Sequence, residues 1–337
     1  MPDHSILKPR TKRLAIWIAV IALVAVMIAG FFVGSTSVGF AEFWAVITGQ
    51  PVSGAAKSIL MNVRLPRVLS AVLAGSALAV SGAIIQAVLD NPLASPNIIG
   101  INSGAGLAVL LAASFFTGVP SLRPVAAFAG ALITALVIFA VSLGAGTSRL
   151  TVVLAGIALS TIFGAGMNTI LIVNPDAYVG ASQFLVGGLA GMTMAKITWP
   201  SVYVIIGLVL ALTMAGKLNV LSLGDVSAHS LGMRVGRWRI GLLGLSALLA
   251  GAAVSFAGLF GFVGLIVPHI VKFIFGHDNK IVLPLSIIVG AGFVVLCDLC
   301  ARVLFSPYEI PVGILMAFLG GPFFVFLIIK NRRYGDG

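Results

Sequence analysis

The sequence predicts an all-α membrane protein of about ten transmembrane helices, with an inverted internal repeat and both termini cytosolic. Three observations carry that prediction: a composition almost empty of charge, apolar runs of bilayer length, and basic residues gathered at the ends of those runs. Of the 337 residues, 60% are hydrophobic and 9% charged, whereas a soluble domain carries about 25% charged residues. So few charges cannot cover a globular surface, and the chain must face lipid. The net charge of +11 does not point to nucleic acid, because the basic residues flank apolar runs as orientation in a bilayer requires.

The elements follow in order. The first apolar run, 14–33, lies behind the basic KPRTKR segment and has no small-residue cleavage site before Gly34. It reads as a retained span preceded by a cytosolic tail, 1–13. Runs 66–89, 98–116, 124–143, 151–173 and 197–215 are each long enough for a crossing, which takes about 20 apolar residues. The stretch from Ile240 to Phe275 is too long for one crossing at about 1.5 Å rise per residue. The glycines of FAGLFGFVGLIVPH and Pro268 divide it into two segments. Runs 281–301 and 312–330 complete ten, so that 14–330 forms one transmembrane domain and 331–337 a second cytosolic tail.

An even number of crossings puts both ends on one side, and both ends are basic. Lys8, Arg10, Lys12, Arg13, Lys330, Arg332 and Arg333 are joined there by Arg149, Lys217, Arg234, Arg237, Arg239, Lys272 and Lys280, fourteen in all. Lys57, Arg64, Arg67, Arg123, Lys196 and Arg302 make six on the other side, so the fourteen face the cytosol. Residues 70–100 and 246–276 align without a gap, pairing Gly75 with Gly251, Gly82 with Gly258, Pro92 with Pro268 and Gly100 with Gly276. An odd number of crossings separates the two copies, so they run in opposite directions. Inverted repeats with segments broken by Pro and Gly are a transporter signature, since broken backbone at membrane depth survives only where protein or a water-filled path lines it.

The power source is not in the chain. Asp298 is the best intramembrane ionisable group, but Arg302 lies four residues on along the same helix face and neutralises it. Asp90 borders the cytosol and Glu309 lies in an external loop. GQPVSGAAKS from Gly49 has its Lys and Ser two residues late for a phosphate loop and falls outside the cell. No two of the four histidines have metal-ligand spacing, and Cys297 and Cys300 read as small helix residues in an apolar run rather than as a redox or zinc site. We therefore expect no catalytic residue, no bound metal and no cofactor, and a separate ATPase to bind ATP. LGDVSAHSLGMRVGRWR, from Leu223 to Arg239, is the one polar island in the chain, within a cytosolic loop 217–239. Two readings fit it: a solvated loop whose arginines set topology, or a short helical segment whose small residues fit a groove on that ATPase.

At these residues the chain resembles the FecCD-type permeases, the membrane subunits of type II ABC importers for iron–siderophores, haem and cobalamin. The resemblance covers about 64–330 and rests on five motifs in order. They are RLPR at Arg64–Arg67, SGAIIQAVLDNPLASPNIIGINSGA at Ser81–Ala105, the polar island, GFVGLIVPHIVKFIFGHD at Gly261–Asp278, and EIPVGILMAFLGGPFF at Glu309–Phe324. Lys272 stands where the family usually carries Arg, keeping the charge. The resemblance implies a homodimer, or a heterodimer with a similar permease, in a bacterial or archaeal cytoplasmic membrane. Two cytosolic ATPases and an extracytoplasmic solute-binding protein would complete the assembly.

The resemblance further implies roles residue by residue. Gly224, Asp225, Ala228, His229, Leu231 and Gly232 would receive the ATPase. Arg64, Arg67 and Arg302 would form an outward basic ring that captures carboxylates of the binding protein, as charge steering favours; snorkelling side chains are the plainer reading. Asn91, Leu93, Thr147 and Ser148 would narrow the inner mouth, although residues of this kind also cap helices. The function expected is ATP-driven import of an iron(III)–siderophore or related metal chelate. Cobalamin or haem on the same architecture is an alternative, and an ion-coupled secondary transporter is the alternative of another class.

Overall fold

The computed structural model describes residues 9–33, 40–51, 53–145, 148–306 and 308–335, and within them every regular element is helical. The chain opens with α1 (Pro9–Phe32), the short α2 (Phe40–Thr48) and α3 (Gly54–Ser58). A π-helical turn, Ile59–Arg64, leads into α4 (Leu65–Leu89). Then come α5 (Ile101–Phe115), α6 (Leu122–Ala145), α7 (Arg149–Val173), α8 (Asp176–Val186) and α9 (Met194–Thr213). Two short helices, α10 (Ala215–Leu221) and α11 (Asp225–Ser230), precede α12 (Val235–Ala257), α13 (Val263–Phe275), α14 (Asn279–Val303) and α15 (Val312–Gly335). Among the described residues seven helical stretches are long and apolar enough to cross a membrane, and α5, α13 and the apolar part of α15 are shorter apolar helices.

α4 is the axis of the packing, buried along nearly its whole length against α12, α13 and α14. Its sequence explains why. Glycines, alanines and serines let backbones approach where the surrounding lipid gives no hydrophobic drive to associate. At Gly82 the approach is extreme: a Cβ there would lie 1.8 Å from the Gly264 carbonyl oxygen. Ser81 donates to the Ser246 carbonyl at 2.8 Å, stitching α4 to α12 through a buried polar bond.

The bundle has two ends. One carries α10 and α11 and is called here the loop face. α4 arrives at it and α12 leaves from it, as do α7 and α14. α1 runs towards the opposite, far face, where Arg64 and Arg302 hold its last carbonyls. α15 starts from that face, where Ile310 N–H donates to the Ala301 carbonyl at 3.3 Å.

α5 and α13, at 15 and 13 residues, reach only about 20 Å, short of the roughly 30 Å hydrocarbon core. Non-helical backbone supplies the rest. Residues 90–100 turn back into the bundle before α5, with Ala94, Ser95, Ile99 and Gly100 buried. Residues 258–262 do the same before α13, where Gly258 takes φ +79°, a conformation that only glycine adopts freely. Asn102 Nδ2 donates to the Phe260 carbonyl at 3.3 Å, so the two breaks meet inside the protein. That cover is what makes them tolerable at membrane depth.

Several boundaries differ from the sequence expectation. The two segments expected between Ile240 and Phe275 are α12 and α13, but α12 begins at Val235 and takes in the last five residues of the expected 217–239 loop. α1 and α15 extend into the expected tails. The gapless repeat register also fails structurally. Gly82 lies inside α4 while Gly258 ends α12, and Pro92 sits in a turn while Pro268 is inside α13. The inversion is real at the level of elements instead: α4, a break, then α5 runs one way, and α12, a break, then α13 the other. Ala- and Gly-rich helices match by composition in more than one register, which is why the sequence misplaced it.

Candidate functional site

The polar island folds as a small platform fixed at three points. On α10, Asn219 Nδ2 donates to the Asp278 carboxylate at 2.7 Å, and its Oδ1 accepts from the backbone N–H of Asn279 at 2.8 Å. The Lys217 ammonium lies 5.2 Å from the centre of the Trp238 ring, a cation–π contact between α10 and α12. On α11, Asp225 accepts from Arg239 Nη2 at 2.6 Å and from Arg149 Nη2 at 3.5 Å, and Arg149 also holds Asp90 at 2.7 Å. The hydrogen bond from Arg239 is the main reason the Asp225 carboxyl sits below its ordinary value, against a smaller opposing effect of burial. Loop helix, α7, α12 and the end of α4 are thus joined through two carboxylates and two guanidinium groups.

The six residues expected to receive an ATPase divide into two groups. Ala228 is fully buried and Asp225 is engaged by Arg239, so both brace α11 from within rather than offer a rim contact. His229, Leu231 and Gly232 face outwards, and Gly224 and Gly232 take φ +93° and +79° at the two ends of α11. The sequence reading missed Val226 and Leu223, which stand 82% and 46% exposed beside Leu231 at 65%. An apolar side chain kept inside a polar island was the available signal. Arg239 was missed too: counted as a topogenic charge, it is fully buried.

The far face holds the three arginines expected to form an outward ring, and there the expectation needs correcting. Arg64, Arg67 and Arg302 are 3%, 7% and 3% exposed. Arg67 Nε pairs with Asp298 at 3.0 Å and its Nη1 with Glu309 at 2.7 Å. Arg302 Nε lies 3.1 Å from the other Asp298 oxygen, the expected neutralisation along α14. Arg302 also donates to the carbonyls of Gly30 and Val33, and Arg64 to those of Phe31 and Phe32. Guanidinium groups suit this because the last carbonyls of a helix lack internal partners and carry partial negative charge. The side chains therefore fasten α1 to α4 and α14 instead of facing solvent; in the cluster Glu309 is the member with a partly exposed side chain.

Of the four inner-mouth residues, Asn91 and Ser148 cap local structure, as the plainer reading had it. Asn91 Oδ1 accepts from the Leu93 N–H at 2.9 Å, closing a turn, and Ser148 caps α7 by accepting from the Thr151 N–H at 3.1 Å. Thr147 lies outside the described residues. Leu93 packs with Leu265 and Ile266 of α13 and Leu327 of α15, and Lys272 donates to Gln86 at 3.0 Å. Cys297 is buried and Cys300 half-buried, both as free thiols. No group of three His, Cys, Asp or Glu side chains that could hold a metal occurs among the described residues.

Comparison with known proteins bears on this arrangement. Residues 21–330 match the FecCD transport family. The hemin transport system permease protein of Yersinia pestis is 37% identical over 96% of this chain and 98% of its own length. The iron(3+)-hydroxamate import system permease protein of Bacillus subtilis is 36% identical over 94% and 84%. The cobalamin import system permease protein of Halobacterium salinarum is 38% identical over 81% and 74%. A solved structure described as an inward-facing conformation of a metal-chelate type ABC transporter superposes with a TM-score of 0.84 at 28% identity, covering 94% of this chain and 99% of that one.

Proposed function

The chain belongs to the FecCD transport family and is a multi-pass permease subunit of an ABC importer, not an enzyme; on that premise we propose that its cargo is an iron(III)–siderophore or related metal chelate carried into the cytoplasm. The platform of α10 and α11 supports an ATPase-driven mechanism. It is tied rigidly to α4, α7, α12 and α14, and it leaves Val226, His229, Leu231 and Gly232 free to contact a partner. A partner that closes on ATP can shift the spans only through contacts that differ in energy between two states, and a rigid tether transmits such a shift. In this reading 217–239 is the coupling loop, the loop face is cytosolic, and residues 14–330 act as one permease domain.

The far face, extracytoplasmic in this reading, receives a solute-binding protein. Arg67 serves that docking only if an incoming carboxylate replaces Glu309 on it, and Arg64 and Arg302 support it by holding the end of α1 in place. Two ATPases and a second permease subunit, identical or similar, complete the assembly. Asn91, Leu93 and Ser148 line its inner mouth, and Thr147, expected with them, falls outside the described residues. ATP is held by the ATPases, and this chain carries no cofactor or metal of its own.

A second reading, haem as cargo, is favoured by the full-length match to the hemin permease; cobalamin stands behind it. An ion-coupled carrier is disfavoured because Asp298 is locked between Arg67 and Arg302. The test is reconstitution in proteoliposomes with the ATPase and binding protein, scoring uptake of ferric siderophores, haem and cobalamin. Uptake of an iron chelate that stops when the ATPase loses its phosphate-loop lysine supports the proposal. Uptake by this chain alone under an ion gradient overturns the mechanism, and ATP-driven uptake of haem or cobalamin alone overturns the cargo.

A further inference from the structure

On the far face, behind α8, a cavity of about 750 Å³ opens where α6 and α9 begin and α12 ends. Its walls are aromatic: Phe128, Phe184, Trp199, Tyr203 and Phe256. Phe128 and Tyr203 stack at 5.4 Å, and Trp199 and Tyr203 remain 71% and 41% exposed. Two cations, Arg123 and Lys196, stand on the wall, and among the described residues no acidic residue lines the cavity.

Neither cation is neutralised. The half-buried Arg123 side chain makes no hydrogen bond or ion pair with a described residue, and Lys196 reaches only a neutral carbonyl, that of Gly191, at 2.8 Å. Space is kept for the Arg123 head, since a Cβ at Gly180 would come within 2.9 Å of its Nη2. Both cations sit in the first turn of a long helix with no acidic side chain in that turn. The helix dipole there adds positive potential, so an anion bound at this point is modestly stabilised by each helix end.

We propose that this cavity binds an anionic phospholipid, its headgroup between Arg123 and Lys196 and an acyl chain along the aromatic floor. The chemistry is two-sided in the way an amphiphile requires. A volume of this size suits a small-molecule site, typically about 300–1,000 Å³. Trp and Tyr at the rim mark the depth of lipid headgroups, and the cations meet the charge while the rings meet the chain. The site is separate from the platform on the loop face and does not depend on which cargo is carried.

Trp199 provides the probe. The full chain carrying Trp17→Phe, Trp44→Phe and Trp238→Phe, placed in nanodiscs, is titrated with brominated phosphatidylglycerol or brominated phosphatidylcholine, and quenching of Trp199 gives local binding. The expected preference for the anionic lipid is about 25-fold, falling about fivefold on Arg123→Gln and again on Lys196→Gln. Equal quenching by the two lipids overturns the proposal. A preference erased by inorganic phosphate overturns the lipid assignment and leaves a free-anion site. Because the triple variant could misfold, the unmodified chain is also delipidated and heated with each lipid. Stabilisation by phosphatidylglycerol alone supports the site, and equal stabilisation by both counts against it.

Discussion

Arg239 of α12 reaches Asp225 of α11 at 2.6 Å, and the guanidinium is buried while half of the carboxylate side chain remains exposed. A span is thereby bonded to the loop helix that precedes it, across a turn of four residues, and Arg149 adds α7 to the same carboxylate. The platform moves with the spans or not at all.

Replacing Asp225 by Asn should therefore loosen the platform without unfolding the bundle. A charge-assisted hydrogen bond at a partly exposed site contributes about 1 kcal/mol net. Amide hydrogen exchange over 225–233 should rise about fivefold, with exchange in α4 unchanged. Unchanged exchange in the loop would mean that the remaining contacts at α10 suffice.

The same pair sets a pH window. The hydrogen bond from Arg239 lowers the Asp225 carboxyl below its ordinary value of 3.8. A group whose folded value is depressed contributes above its unfolded value and loses that contribution as pH falls through the folded one. Protection of the loop amides, taken relative to the intrinsic exchange rate at each pH, should thus stay flat from neutral pH down to 3.8 and fall only below it. Protection lost well above pH 3.8 would show that a contact other than this pair holds the loop.

Asp298 distinguishes two kinds of transporter. In the structure it is the shared counter-charge of Arg67 and Arg302. Asp298→Asn leaves buried guanidinium groups short of a partner, a change that costs about 3–5 kcal/mol when a buried pair is broken. Thermal unfolding in detergent should fall markedly, and α1, held by Arg302, should become protease-sensitive at its far end. A stable variant that has lost only ion-driven uptake would restore the secondary-transport reading.

The far-face cluster also shows what the sequence could and could not convey. Composition and run length announce the long spans because bilayer thickness imposes them on a helix that crosses alone, whereas α5 and α13 fall short of it. Asp298 and Arg302 were readable as a pair because four residues is a local helical spacing. Arg67 and Glu309 lie 242 positions apart, and only the fold brings them together, so the arginines looked free and outward. Ala228 failed for the converse reason: a small residue in a polar stretch fits an interface or a tight interior equally well, and burial decides. The breaks at 90–100 and 258–262 were signalled by Pro and Gly, but their meeting at Asn102 and Phe260 depends on helix packing alone.

Gly82 offers a test of that packing. Gly82→Ala would put a methyl 1.8 Å from the Gly264 carbonyl oxygen, and backbone on both sides leaves no flexible atom to give way. Overpacking of this kind costs about 1–3 kcal/mol or more. Gly241→Ala in α12 meets nothing within 4 Å and serves as the control. The first variant should lower the unfolding temperature by several degrees and the second should leave it unchanged or raised, since alanine favours helix. Equal behaviour would show that α4 and α13 sit farther apart than described.

The outward face of α11 decides whether the platform is an interface. Val226 is 82% exposed, so Val226→Asp removes no internal contact and should leave expression and melting unchanged. If the apolar trio of Leu223, Val226 and Leu231 is the surface on which an ATPase closes, a buried carboxylate there costs enough to abolish capture of the ATPase. His229→Trp should do the same by bulk, and Val226→Leu should retain capture. Transport and capture surviving Val226→Asp would assign the platform to holding α7, α12 and α14 in register, and the coupling surface would have to be sought elsewhere on the loop face.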